Sequence, residues 1–175
     1  MSAPELVRMI RVRPLPGDLV VIEATEAERA ALAERFGISA IDTLRAEVTL
    51  EALPRAIRAT GRLRAAVVQP CAVSAEDFPV AIDEPLDLRF VEQAARSLPE
   101  EEDFELELVA DDCDEIEYAG EMFDLGEAVA QSLGLAIDPY AEGPNADAAR
   151  KAAGIVAEGE QLGPLAAALA GLKKN

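Results

Sequence analysis

Two adjoining stretches of this chain alternate between apolar and polar residues with a period of two. In the first, Leu44, Ala46, Val48 and Leu50 interleave with Arg45, Glu47, Thr49 and Glu51. In the second, Ile57, Ala59, Leu63, Ala65 and Val67 interleave with Arg58, Thr60, Arg62 and Arg64. Successive side chains of a strand point to opposite faces, so each stretch reads as a strand with one dry face and one wet face. Between them Pro54 and Arg55 make a tight turn, although neither is a favoured residue for the primed hairpin turns. With those two as the whole loop, Glu51 lies opposite Arg58, Glu47 opposite Arg62 and Arg45 opposite Arg64, and the apolar faces coincide. A hairpin of this kind cannot stand alone: its dry face has to be extended by further strands and covered by helices.

The rest of the chain supplies both. Leu6 to Arg13 reads as an edge strand ended by Pro14, Pro16 and Gly17, and Leu19 to Ile22 as a second short apolar run. Thr25 with Glu28 has the form of a capping box, opening a helix with Ala27, Ala31, Leu32 and Phe36 on one face and Gly37 as its C-terminal cap. Val80 to Phe90 is a third strand broken at Pro85, Phe104 to Val109 a fourth, and Ile116 to Tyr118 a short addition; the charged stretch EQAARSLPEEED reads as an exposed loop. Asp124 with Glu127 caps another helix, carrying Leu125, Ala128, Val129 and Leu133 inward and ending near Gly134 or before Pro139. The expected fold is α+β: an antiparallel sheet, open or barrel-like, with packed helices and an Ala/Gly-rich C-terminal tail that is helical or partly disordered. Residues 1–140 form the single domain of this reading. Residues 141–175 form the tail, ending in an amphipathic helix from Pro164 to Lys174 with Leu165, Leu169 and Leu172 at helical spacing.

Composition narrows the chemistry. The 175 residues contain no histidine, which removes histidine-based triads, histidine general bases and the commonest zinc-ligand sets. No pair of carboxylates stands out from the general acidity, so the expectation is a protein that binds rather than catalyses, with no cofactor and no metal. The cluster Asp111, Asp112, Asp114, Glu115 and Glu117 does not have EF-hand spacing, since the sixth position counted from Asp112 is Glu117 and not glycine. Cys71 and Cys113 are the two cysteines; Cys71 lies in VVQPCAVS, where Ser74 occupies the place a paired cysteine would take. No window holds the roughly 18 apolar residues of a membrane span, and the N-terminus has no cleavable apolar core, so a cytoplasmic location is expected.

The net charge is −18. From Ser97 through Ala149 there are 17 Asp or Glu and no Lys or Arg, while the remainder carries 17 acidic and 16 basic residues. Bulk attraction to nucleic-acid phosphate is thereby excluded, but a local basic face is not. Arg58, Arg62 and Arg64 are candidates for such a face, with guanidinium groups at spacings of roughly 7 to 13 Å that suit neighbouring phosphates. The bland alternative is that they pair across the hairpin with Glu51 and Glu47, which needs no ligand. Glu100, Glu101, Glu102 and Asp103 are the candidate docking residues for a cationic partner within the acidic segment.

Five pieces of sequence, in order, resemble the YceD-like proteins: TGRLRAAVVQPCAVS at Thr60 to Ser74, IDE at Ile82 to Glu84, DLGEAVAQSL at Asp124 to Leu133, AIDPY at Ala136 to Tyr140 and LGPLAAALAGLKK at Leu162 to Lys174. Many members of that family carry C-x-x-C where this chain has Cys71 and Ser74. The resemblance implies a bacterial, non-enzymatic factor needed for 23S ribosomal RNA to accumulate, and hence a helper of large-subunit biogenesis, with ribosomal RNA as partner. Acidity this pronounced also fits a chaperone-like binder of a basic ribosomal protein, which is the alternative reading.

Overall fold

The computed structural model describes residues 5–93 and 115–155. Within them the chain runs as β1 (Met9–Arg11), β2 (Val20–Glu23), α1 (Glu26–Phe36), β3 (Ala40–Ala52), β4 (Ala56–Pro70), β5 (Asp77–Glu92), β6 (Glu115–Tyr118), β7 (Met122–Asp124), α2 (Leu125–Ala136) and α3 (Ala146–Ala152). Two compact units result. The larger contains the residues up to Gln69 and Pro79–Asp138; the smaller contains Pro70–Phe78 and the residues from Pro139 onward. The expected strand Phe104–Val109, the loop before it and the helix Pro164–Lys174 lie outside the described residues.

In the larger unit the alternating stretches form the hairpin β3–β4, longer than the sequence pattern marked out. Its register pairs Glu51 with Arg58, Glu47 with Arg62 and Arg45 with Arg64, and the N–H of Leu53 donates to the carbonyl of Ala56 across the Pro54–Arg55 turn at 2.8 Å. Leu44, Ala46, Val48 and Leu50 of β3 are buried with Ile57, Ala59, Leu63, Ala65 and Val67 of β4. The turn forms because the two dry faces fix the register from both sides, and a slip of one residue would put every one of these side chains in water.

Flanking strands give a sheet in the order β2-β3-β4-β5-β6. Two expectations are corrected here. The sheet is not wholly antiparallel: β2 and β4 run antiparallel to β3, but β6 pairs with β5 in parallel, Arg89 to Glu92 against Glu115 to Tyr118. A parallel neighbour needs a long connection, and residues 93–114 lie between these two strands. Nor does Pro85 break β5, which runs unbroken through Pro79 and Pro85. Among the described residues β6 pairs with β5 only from Arg89 onward, so that pairing does not involve either proline. No described pairing joins β2 to β6, so the described strands form an open sheet rather than a barrel.

The two helices of this unit cover the dry face. Helix α1 opens on the expected box, with Thr25 Oγ1 accepting from the N–H of Glu28 and the Glu28 carboxylate accepting from the N–H of Thr25, and it closes on Gly37 in the left-handed conformation. It buries Leu32 and Ala33, with Phe36 half-buried, whereas Ala27 is exposed against expectation. Helix α2 is capped by Asp124 and buries Leu125, Ala128, Val129 and Leu133 as its spacing predicts, together with Gly126 and Ala130. Phe90 of β5 and Phe123 of β7 stack at 4.2 Å between ring centroids inside the same core.

A short second sheet, β1 with β7, ties the N-terminus to the start of α2. The Asp124 carboxylate accepts from the N–H groups of Gly126 and Glu127 and from that of Arg8 at 2.8 Å, while Leu125 N–H donates to the carbonyl of Arg8. Gly126 is required by this approach, since a Cβ there would stand 2.5 Å from the carbonyl oxygen of Leu6 and 2.7 Å from the nitrogen of Arg8. Side chains complete the junction. Arg8 pairs with Glu28 of α1 at 2.7 Å, and Arg35 of α1 holds both Glu127 of α2, at 2.8 Å, and Glu5. The smaller unit is organised around the Pro70–Phe78 turn, where Ala72 N–H donates to the carbonyl of Ala141 and Asn145 to the carboxylate of Glu76.

Two outcomes follow for stability. Alanine favours a helix over glycine by about 1 kcal/mol, yet Gly126→Ala should destabilise the protein, by about 1–3 kcal/mol from overpacking. Its melting temperature should fall by about 2–4 °C per kcal/mol, while Gly17→Ala, which meets nothing within 4 Å, leaves it nearly unchanged. A melting temperature for Gly126→Ala at or above that of the parent would show that the junction does not need the close approach. The hydrogen bond from Arg8 holds the Glu28 carboxyl well below its ordinary range, at about 2. A carboxyl with a depressed folded-state pKa stabilises above its unfolded pKa and loses that contribution as pH falls through the folded value. The stability difference between the parent and Glu28→Gln, measured by urea unfolding, should therefore be constant above about pH 6 and shrink toward about pH 2.

Candidate nucleic-acid interface

The wet face of the sheet is a field of charge. On β4 the core side chains occupy odd positions, so Arg58, Arg62 and Arg64 all project from the opposite face, as the alternation requires. On β5 the core takes Ile82, Leu86, Leu88 and Phe90, which leaves Asp83 and Asp87 on that same outer face. Arg58 Nη2 reaches Asp87 at 2.6 Å and Arg62 Nε reaches Asp83 at 2.5 Å, with Arg64 Nε at 3.6 Å from the same Asp83 oxygen. The expected pairing with Glu51 and Glu47 is thus replaced by pairing toward β5. The register across β3–β4 is as read, but Glu47 is taken by Arg45, which also binds Glu23 of β2. Aspartates on the far side therefore hold the arginines of β4. Finding them from sequence would have required the β4–β5 register, which runs through the Pro70–Phe78 turn.

The electrostatics follow from that arrangement. The hydrogen bond to Asp83 raises the pKa of Arg62, and the same bond lowers that of Asp83. The side chains of this cluster are each about half exposed, 51% for Arg62 and 50% for Asp83, so the pairs are solvent-screened and exchangeable. A guanidinium has five N–H donors, and in Arg64 they are the least committed, since its one ion pair is long. A phosphate presented to this face can take over donors that the aspartates hold, at the cost of leaving those carboxylates to water, where they are stable. The stripe is suited to a local contact and not to an extended grip.

Glu100, Glu101, Glu102 and Asp103, and also Cys113, lie outside the described residues. Among the described residues no group of three or more His, Cys, Asp or Glu side chains could hold a metal ion, and no helix is long and apolar enough to cross a membrane. In the smaller unit Cys71 is buried, and its sulfur accepts from the N–H groups of Val73 and Ser74, both at 3.4 Å. Hydrogen bonding by the Ser74 side chain, together with the N–H groups of Ser74, Gly143 and Val73, lowers the thiol to about 7. The sequence showed only that Cys71 lacks a paired cysteine; that the following turn folds its N–H groups back onto the sulfur could not be seen from a single cysteine.

A family model described as large ribosomal RNA subunit accumulation protein YceD matches residues 59–173. The chain belongs to the YceD family. The YceD match begins inside β4, takes in Arg62 and Arg64, Asp83 and Asp87, the Cys71 turn and the whole of α2, and so covers most of the arginine–aspartate face. YceD is by its description a family tied to accumulation of large-subunit ribosomal RNA. Comparisons with curated proteins and with solved structures found no match.

The thiolate geometry is testable in a Cys113→Ser background. The alkylation rate of Cys71 should rise with a midpoint near pH 7, as its thiol at about 7 requires, and Ser74→Ala should move that midpoint upward. A midpoint near that of a free cysteine, about 8.5, unmoved by Ser74→Ala, would contradict the arrangement.

Proposed function

We propose that this protein is a non-enzymatic factor that supports accumulation of 23S ribosomal RNA and thereby large ribosomal subunit biogenesis, touching RNA locally through Arg58, Arg62 and Arg64. The observation that carries this reading is the YceD match over residues 59–173. The geometry supports it in kind: a row of half-exposed arginines held by exchangeable partners on a rigid strand. A chain of net charge −18 has little long-range attraction for RNA, so contact through this face has to be short-ranged and directed to particular phosphates. The absence of histidine from the sequence is in keeping with binding rather than catalysis.

Deletion of the gene should lower 23S relative to 16S ribosomal RNA and reduce the large-subunit peak in sucrose gradients. Restoring the triple variant Arg58→Gln, Arg62→Gln, Arg64→Gln should fail to correct the ratio, although the variant accumulates to parental levels. In-cell crosslinking of the parent should recover 23S fragments. Unchanged profiles in the deletion strain, or crosslinks to a basic ribosomal protein alone, would overturn the proposal.

A further inference from the structure

Most described arginines of this chain are occupied. Arg8, Arg35, Arg45, Arg58, Arg62, Arg64, Arg89 and Arg150 are in ion pairs, and Arg29 donates to the carbonyls of Ile41 and Ala24. Among the described residues Arg11, Arg13 and Arg55 form no ion pair. In so acidic a protein an arginine without a carboxylate is the exception, and two of the three come together. Arg13 and Arg55 line one depression of about 230 Å³, with Tyr118 and Glu92. A second depression of about 250 Å³ shares Arg13, Tyr118 and Glu92 with it and continues to Gly120 and Glu121. The two make one groove at the end of the larger unit. It runs from the β3–β4 turn, which carries Arg55, past Arg13 and Tyr118 to the turn between β6 and β7.

The groove brings together cations, an aromatic ring and carboxylates. Tyr118 is anchored by Phe123 at 6.0 Å between centroids and is only partly buried, so its ring is fixed yet reachable. Burial, and then the charge of Glu92, raise the Tyr118 phenol above its ordinary range, which keeps it neutral. Guanidinium groups bind phosphate, an aromatic face stacks with any base, and a carboxylate accepts from an exocyclic amino group such as that of cytosine. A nucleotide offers a partner to each of these groups. An acidic peptide would use the arginines but would have no use for the ring.

We infer that the groove of Arg13, Arg55 and Tyr118 is a binding site for single-stranded RNA, with phosphate at the two arginines and a base on the tyrosine. This site is separate from the arginine stripe of β4 and is tested on the purified full-length protein, apart from the deletion phenotype. The probe is a fluorescein-labelled single-stranded RNA of ten mixed nucleotides, followed by anisotropy at low and physiological salt. Arg13→Gln with Arg55→Gln should weaken binding at least tenfold and reduce the slope of log affinity against log salt by about 1 to 2, as loss of two phosphate contacts requires. Tyr118→Leu should weaken binding about tenfold with little change in that slope, whereas Tyr118→Phe, which keeps the ring and the Phe123 contact, should stay within about twofold. Because Tyr118→Leu touches the core, the Phe variant and the arginine pair decide the matter if it unfolds. No binding by the parent, parental affinity in the double arginine variant, or competition by poly-glutamate as effective as by unlabelled RNA would each overturn the assignment. The last of these would make the groove a docking place for acidic peptide.

Discussion

One carboxylate organises the larger unit. Asp124 accepts from two N–H groups of its own helix and from the N–H of Arg8, so the same side chain starts α2 and fastens the N-terminal segment across it. All three are charge-assisted bonds, and the two from Gly126 and Glu127 lie at a helix N-terminus, where negative charge is favoured. Everything around it depends on the position this fixes. Gly126 has to lack a side chain because the strand passes there, and Glu127 points back to Arg35, which draws α1 against α2. With both helices set, the dry face of the sheet is covered and the hairpin register has a reason to hold.

The wet face shows how an acidic protein can keep basic residues ready. Free-standing arginines would attract the chain's own abundant carboxylates indiscriminately. Here Arg58 is held by Asp87, and Arg62 closely and Arg64 at longer range by Asp83, both aspartates lying on the neighbouring β5. Such pairs add little stability, but they restrict the guanidinium groups on the outer face, which leaves less side-chain freedom to lose in a contact there. Cation and anion columns alternate across β3, β4 and β5, and the face as a whole is close to neutral.

Much of this architecture was legible in the residues. The hairpin, its turn and its register could be read because alternation over many residues overdetermines them, and the helix starts could be read because the Thr25–Glu28 box and the Asp124 cap are local signals. What could not be read is long-range. The parallel partner of β5, the aspartates that hold Arg58 and Arg62, and the role of Gly126 all depend on which distant strand arrives alongside. The same holds for Pro85, which breaks a strand by local rule and yet lies within β5. The candidate stripe was located correctly on the outer face, yet its partners were misassigned, since charge pairing across one hairpin is only half of a middle strand's neighbourhood.

The junction at Asp124 also has a consequence in time. Arg8 and Asp124 are separated by 116 positions, whereas β3 and β4 are joined by three residues. Closing a short loop loses little chain entropy and closing a long one more. During synthesis the N-terminal segment leaves the ribosome long before its partner has been translated. The hairpin and α1 can assemble first, and β1 must wait, unpaired, until α2 emerges to receive it. The protein therefore closes like a clasp whose first half is translated well before the second. A nascent chain truncated before Asp124 carries an unsecured strand that is open to other partners.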